Sequence, residues 1–202
     1  MLPVKTHKIM KLTFRYILAV LALAAASTVS ARNPDEYFVE VPNSIRSTHV
    51  SVSYGAAPAM YNIDAFANHW TDLYDRWGTA TLSIEHKFAD NLWAGLSYTF
   101  ANASARHAAS NAPGNLTWHS LMLNGSYFWA SAGRWNFYSH AGIGVLVIYC
   151  SPSVADSYNI EHMAFQVSPV GVEYTLGPHA ALFAEAGYGV EGIANVGFRI
   201  GF

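Results

Sequence analysis

The sequence predicts an all-β fold, a closed antiparallel up-and-down transmembrane β-barrel of about eight strands. Three observations predict it: short stretches of alternating apolar and polar residues, connections that are short and long in turn, and strand charges confined to one face. Charged residues make up only 12% of the chain and aromatic residues 14%. Yet no segment after the N-terminal region approaches the roughly 20 apolar residues of a membrane-spanning helix. Alternation along strands is therefore how this chain distributes its hydrophobicity.

The N-terminus has the pattern of an export signal peptide. A start rich in lysine is followed by an apolar run over residues 17–26 and by the small residues Val29-Ser-Ala31. This arrangement predicts a signal peptide over residues 1–31 that is cleaved after Ala31. Met10 begins a more compact signal of the same kind, so the start codon stays open between the first residue and Met10.

Removal of the signal peptide changes the charge balance. It leaves 7 of the 11 basic residues against all 13 acidic ones, a net charge of −6 with histidine neutral. The mature sequence has no basic patch, which argues against nucleic acid as a partner. The single cysteine, Cys150, cannot form an internal disulfide and is interpreted as a small apolar filler.

Turn residues divide the remaining chain into segments. Prolines and charges predict an irregular periplasmic segment over residues 32–47, and alternating stretches predict the barrel over 48–202. The predicted strands are 48–57, 77–88, 92–102, 116–129, 135–149, 161–176, 180–190 and 194–202. The predicted short connections are 89–91, 130–134 and 177–179, and the long ones are 58–76, 103–115 and 150–160. Connection 191–193 is the exception, because it is short where a long one is expected.

The two faces of the predicted strands differ in kind. In the last strand, apolar residues from Ala194 to Phe202 alternate with Asn195, Gly197, Arg199 and Gly201. The charged residues inside the strands all share the polar, glycine-rich face; they are Glu85, Lys87, Glu173, Glu185 and Arg199. A charge facing lipid near the midplane costs about 2–4 kcal/mol, so this face is predicted to line the lumen. A soluble lipocalin-like barrel would carry its charges outside.

The tight connection before the last strand suggests a register. If Val190 opposes Ala194, then Glu185 lies directly opposite Arg199, and the two are predicted to pair inside the lumen. The other members of this predicted lumen ion network are Glu173, Glu85 and Lys87. Side chains just fill a barrel of eight strands, so the network is interpreted as a plug and not as an active site.

The sixth predicted strand reverses its alternation. Met163 and Phe165 have one parity and Val170 has the other, with Ser168-Pro169 at the switch. Proline cannot donate a ladder hydrogen bond, and one inserted residue exchanges the faces. A β-bulge is therefore predicted at Ser168-Pro169.

With these features, residues 48–202 resemble the eight-stranded outer-membrane barrels of the OmpA/OmpX type. The ending Val196-Gly-Phe-Arg-Ile-Gly-Phe202 resembles the signal that the barrel-assembly machinery recognises, with Phe198, Ile200 and Phe202 as its apolar positions. The resemblance implies outer-membrane lipid, that machinery and periplasmic chaperones as partners, and a monomer is expected. Because this class includes anchors, adhesins and lipid-modifying enzymes, the fold does not decide the function.

Catalytic candidates are weak. His49 and Ser51 have the spacing of the lipid A deacylase type but are expected to face inward, and His119 and Ser120 are adjacent and so face opposite ways. The palmitoyltransferase type uses His, Asp and Ser near the outer rim. The first long loop offers His69, Asp72 and Asp75 without a motif around them.

Nucleotide and metal signals are equally weak. Gly187-Tyr-Gly-Val-Glu-Gly192 matches G-x-G-x-x-G, but it leads into a hairpin and not into a helix. The outer histidines lack the spacing of metal ligands; they are His69, His107, His119 and His162. No cofactor and no metal are expected.

The first long loop is rich in aromatic residues: Tyr61, Phe66, Trp70, Tyr74 and Trp77. They are interpreted as membrane-interface anchors, with partner binding as the alternative. For the whole chain, a non-enzymatic outer-membrane barrel with a structural or surface-interaction role is the favoured hypothesis. A lipid A-modifying enzyme and a soluble ligand-binding barrel are the alternatives.

Overall fold

The computed structural model describes residues 47–62, 69–153 and 156–202. The predicted signal peptide and residues 32–46 lie outside the described residues. A short 3-10 helix spans Ala59–Tyr61. The strands are β1 Thr48–Ala56, β2 Trp70–Tyr74, β3 Thr79–Ala89, β4 Leu92–His107, β5 Pro113–Ala132, β6 Trp135–Pro152, β7 Tyr158–Gly177, β8 Ala180–Gly189 and β9 Ala194–Gly201. Within the described residues, no helix is both long enough and apolar enough to cross a membrane.

Eight of these strands form a closed ring. They pair in the order β4-β3-β1-β9-β8-β7-β6-β5, and β5 pairs back with β4. Every pairing is antiparallel, and the first and last strands meet at the seam, where Val52 pairs with Phe198. The predicted closed up-and-down barrel of eight strands is confirmed.

The remaining strand, β2, lies within the long connection predicted at residues 58–76, where no strand was predicted. It pairs with the outer end of β4, where Trp70 lies opposite His107 and Thr71 opposite Arg106. Its backbone is irregular at Asp72, which has a φ of 49°, and Asp75, directly after the strand, has the same φ. Because β2 has only five residues and contains this irregularity, its sequence does not alternate between apolar and polar residues, and the strand could not be predicted from that pattern.

The second and third long connections are shorter than predicted, because the strands continue beyond their expected ends. β4 and β5 leave only residues 108–112 between them, and β6 and β7 leave 153–157. Near these ends the polarity of the faces is reversed: Ala103 is buried inside, and the outer side chains of Asn102 and Thr117 hydrogen-bond to each other at 3.1 Å. The other strand ends were predicted from an apolar outer face that alternates with a polar inner one. Because the outer face is polar here, that pattern is absent and the strands were predicted too short.

The bulge predicted at Ser168-Pro169 is confirmed. Tyr138 pairs with Gly171 and His140 with Ser168, so β7 has one more residue than β6 across this interval. Met163 and Val170 therefore both face outward, 63% and 52% exposed. The hydroxyl of Ser139 donates a hydrogen bond to the Pro169 carbonyl at 2.7 Å.

The outer wall of the barrel is apolar and has three zones. Aliphatic residues occupy the middle, including Leu82, Ile84, Leu96, Leu121, Leu123, Ile143, Val145 and Val196. Aromatic residues near the short turns include Phe88, Tyr127, Trp129, Trp135 and Phe202. Those near the long connections include Tyr54, Trp77, Tyr98, Tyr149 and Tyr188. We call this surface the apolar belt.

Candidate functional site

Four of the five charged residues predicted to face the lumen meet inside the barrel. Glu85, Glu173, Glu185 and Arg199 are between 2% and 7% exposed. Each comes from a different strand, and each lies on the inward face because side chains alternate along a strand. Lys87 is not part of this group: its ammonium lies 3.8 Å from Asp90 in the first short turn and is partly exposed.

Arg199 is the cationic centre of the group. Its Nη1 donates to Glu173 Oε2 at 2.7 Å, its Nη2 donates to the Tyr138 hydroxyl at 3.0 Å, and Nη2 lies 3.6 Å from Glu185 Oε1. The guanidinium also stacks against the rings of Tyr138 and Phe183, 4.7 and 4.2 Å from their centroids. This combination of charge pairing and stacking suits arginine and would not suit lysine.

The register predicted for β8 and β9 is wrong. Arg199 pairs with Ala181, and Glu185 pairs with Asn195. Pairing begins only at Ala186 and Ala194, because the residues between them form a wider turn that bends back over the lumen. The charges of Glu185 and Arg199 still approach each other, since the long arginine side chain reaches across the inner wall.

Two histidines complete the inner network. His49 Nε2 lies 2.9 Å from a Glu85 oxygen, and Ser126 donates to the other oxygen at 3.0 Å. His140 Nδ1 lies 3.1 Å from Glu185 Oε2, and the Tyr138 hydroxyl donates to Glu185 Oε1 at 2.7 Å. Both histidines are buried, and the carboxylate partner of each offsets the cost of removing its imidazole from water.

The buried Glu191 was not predicted. It lies in the turn between β8 and β9, with its carboxylate inside the barrel, where Ser97 donates to Oε1 at 3.0 Å. Strand parity predicted that His49 faces inward and gives the same direction for Tyr138 and His140, but a residue in a turn has no parity. We call Glu85, Glu173, Glu185, Glu191, Arg199, His49 and His140 together the charged cluster.

Glycines make room for the large side chains of this interior. The Tyr138 ring lies against its cross-strand partner Gly171, where an added Cβ would be 2.5 Å from the ring. We expect Gly171→Ala to lower the free energy of unfolding by about 1–3 kcal/mol through overpacking. Urea unfolding in micelles, followed by heat-modifiable gel migration, measures this.

Gly177 in the same strand provides the control, because nothing lies within 4 Å of an added Cβ there. Gly177→Ala should leave the free energy of unfolding within about 0.5 kcal/mol of the parent. Equal effects of the two substitutions would show that contact with Tyr138 does not explain the glycine at position 171.

The inner face was expected to carry small and polar residues along its whole length, and this expectation is wrong at one end of the lumen. Toward the long connections it holds an apolar cluster that includes Met60, Trp70, Leu116, Trp118, Met122, Leu146, Ile148, Cys150 and Val190. We call this cluster the apolar cap. Cys150, interpreted from the sequence as a small apolar filler, is a free cysteine buried in this cluster.

Two aromatic residues of the first long connection contribute to the apolar cap or pack on it. The interpretation of Trp70 as an interface anchor is wrong: Trp70 is 1% exposed, and its indole donates to the Tyr158 hydroxyl at 2.9 Å. Tyr61 packs edge-on against Trp118 at 5.4 Å and donates to the Gly78 carbonyl. Burial raises the pKa of Tyr61. Tyr74 and Trp77 stay exposed, and Phe66 lies outside the described residues.

Within the part of the chain that the structure describes, the catalytic candidates are not assembled into a triad. Ser51 hydrogen-bonds to Ser83, and His49 contacts Glu85. His119 faces outward against Tyr98, whereas Ser120 is buried inside, as their adjacency predicts. The outer residues His69, Asp72 and Asp75 are exposed.

A closed eight-stranded barrel with an apolar outer wall is thus the class that the fold defines, and it confirms the eight-stranded architecture that the resemblance implies. No protein-family profile and no curated protein sequence matches the chain. Among solved structures, the N-terminal β-barrel domain of Pseudomonas aeruginosa OprF is similar, with 16% identity, a TM-score of 0.46, and coverage of 78% of this chain and 99% of that one.

A second similar structure is Ail, the attachment invasion locus protein of Yersinia pestis, in complex with the heparin analogue sucrose octasulfate. Its identity is 12% and its TM-score 0.42, with coverage of 76% of this chain and 93% of that one. Another structure of Ail has 14% identity and a TM-score of 0.40, with coverage of 77% and 95%. These similarities are too distant to transfer a function.

Proposed function

We propose that this chain is a non-enzymatic outer-membrane β-barrel with a plugged lumen and a structural or surface-interaction role. The apolar belt is the observation that carries the proposal. Its aliphatic middle lies between two aromatic zones, which is the arrangement that lipid tails and the two lipid–water interfaces favour. In water the same surface would be a very large exposed apolar area, which soluble monomers rarely carry.

The outward side chains change from apolar to polar at the level where the lipid hydrocarbon should end. Below that level the outward residues of β4 include Leu96 and Tyr98, and above it they include Asn102 and Ser104. Ser104 donates to Asn115 on the neighbouring strand at 3.3 Å, as side chains in contact with water commonly do. The reversal supports a barrel whose long-connection end projects from the bilayer.

Two layers of side chains support a plugged lumen. The charged cluster occupies the axis below, and the apolar cap lies above it toward the long connections. A barrel of eight strands has an interior that side chains can fill, so a continuous water path is not expected. The proposed partners are outer-membrane lipid and, during biogenesis, the barrel-assembly machinery and periplasmic chaperones.

Leu123→Arg tests the membrane placement. Leu123 is 67% exposed in the aliphatic middle of the belt. An arginine there should lower the free energy of unfolding from lipid bilayers by about 2–4 kcal/mol, because the charge would face hydrocarbon. Urea titration of the barrel in phosphatidylcholine vesicles gives the value.

Ala109→Arg is the matched control, since Ala109 is exposed in the connection between β4 and β5. It should change the free energy of unfolding by less than about 0.5 kcal/mol. If Leu123→Arg were equally harmless, the outer wall would face water, and the soluble-barrel alternative would replace the proposal.

Lipid A mass analysis tests the non-enzymatic part. Cells with and without the gene should have the same lipid A species, because the candidate His and Ser residues are not joined in a catalytic arrangement. A species that differs by one acyl chain and depends on the gene would favour the lipid A-modifying alternative.

A further inference from the structure

The charged cluster contains more buried negative charge than its arginine can balance. Among the described residues inside the barrel, four buried carboxylates face one guanidinium; the carboxylates are Glu85, Glu173, Glu185 and Glu191. An uncompensated buried charge is strongly unfavourable, so further positive charge is required there. Protons on the two histidines or a bound cation could supply it.

The distribution of contacts shows where the excess lies. Glu173 forms the short contact with Arg199 at 2.7 Å, and Glu85 contacts His49 at 2.9 Å. Glu185, which also lies 3.6 Å from Arg199, and Glu191 both face the same histidine, His140, at 3.1 and 3.9 Å. Two carboxylates thus share one imidazole whose full charge, if protonated, would balance only one of them.

Three potential ligand atoms converge at this point. The ligand atoms of His140, Glu185 and Glu191 lie within 4.8 Å of one another, and all three residues are buried. From these residues and the cavity beside them, we propose that the lumen of this barrel binds one divalent transition-metal ion, with Zn²⁺ as the type. One imidazole with two carboxylates is a donor set that suits zinc and disfavours Mg²⁺, which prefers oxygen ligands.

The second carboxylate oxygens are already held by neighbours. Tyr138 donates to Glu185 Oε1 at 2.7 Å, and Ser97 donates to Glu191 Oε1 at 3.0 Å. The Oε2 atoms of both glutamates are directed toward His140, and Glu191 Oε2 also accepts a hydrogen bond from Asn195 Nδ2 at 3.5 Å. Outer-shell hydrogen bonds of this kind orient carboxylates toward a metal.

An independent observation indicates a ligand at the same place. The three residues line a cavity of about 20 Å³, which has room for an ion or a water molecule. Asn124 and Asn195 line it too, and their buried side-chain oxygens have no hydrogen-bond partner among the described residues. An amide oxygen can accept from a metal-bound water or complete the coordination directly.

Zinc retention tests the site. The chain, carrying no added histidines, is folded into micelles with Zn²⁺ and dialysed against a weak chelator, and metal is measured by mass spectrometry. One Zn²⁺ per chain is expected, and an excess of Mg²⁺ should not displace it. His140→Gln and Glu191→Gln should each weaken retention at least tenfold, because each removes a ligand.

His119→Gln is the matched control, because this histidine faces outward and contacts Tyr98. It should retain the same Zn²⁺ as the parent. Heat-modifiable migration establishes that every variant is folded. Retention of no Zn²⁺ by the folded parent, or equal retention by the parent and His140→Gln, would overturn the proposal and leave protons on the histidines as the balancing charge.

Discussion

Replacing Arg199 with methionine is expected to lower the free energy of unfolding by about 3–5 kcal/mol. The substitution keeps an unbranched side chain near Phe183 but removes the only guanidinium of the charged cluster. Glu173 would then lose its 2.7 Å partner, and Glu185 would lose the cation 3.6 Å away. Both carboxylates are nearly inaccessible to water, so hydration cannot replace the lost interaction. Urea unfolding in vesicles, read by heat-modifiable migration, measures the loss.

Two further variants separate the ion pair from general effects of the substitution. Arg134→Met, in the exposed turn between β5 and β6, should change the free energy of unfolding by less than about 0.5 kcal/mol. The double variant Arg199→Met/Glu173→Gln should be more stable than Arg199→Met alone, because it also removes one stranded charge. A double variant that is less stable than the single one would contradict this account.

Replacing Trp118 with alanine should have a comparable effect. Trp118 is fully buried in the apolar cap, where it packs against Tyr61. Deletion of a buried tryptophan side chain costs about 3–5 kcal/mol, because the transfer free energy is lost and a cavity remains. The same urea titration applies, since gel migration does not depend on tryptophan fluorescence.

Trp118→Phe distinguishes packing from hydrogen bonding. The Trp118 indole nitrogen is buried without a hydrogen-bond partner among the described residues, so its removal forfeits no hydrogen bond. The phenylalanine variant should therefore lose less than half as much free energy of unfolding as Trp118→Ala. A Trp118→Ala cost below about 1 kcal/mol would mean that the apolar cap contributes little to stability.

The outer wall could be predicted from sequence because one face of the strands is apolar and the other carries the charges. Strand parity placed Glu85, Glu173, Glu185 and Arg199 on the inner face, and the structure has them there. The reversal of parity around Pro169 likewise gave the position of the bulge. Such signals are strong because one misplaced charge in hydrocarbon is costly.

Other features left no periodic signal. The partners of Arg199 depend on where β8 and β9 begin to pair, and the wide turn between them moved that register. Glu191 enters the lumen from this turn, where no alternation gives the direction of a side chain. The apolar cap was missed because inward residues such as Trp118 and Ile148 are as apolar as the outward ones, so hydrophobicity alone does not separate the two faces at this level.

The seam between β1 and β9 has a consequence for how the chain reaches its native state. His49, near the start of the first strand, pairs with Gly201, the last residue of the final one. The ring therefore cannot close until β9 has been synthesised, and until then β1 keeps unsatisfied backbone groups along one edge. A chain that stopped before Ala194 would lose β9 and with it the closure of the ring. Its β1 and β8 would be the unpaired edges of an open sheet, which favours self-association.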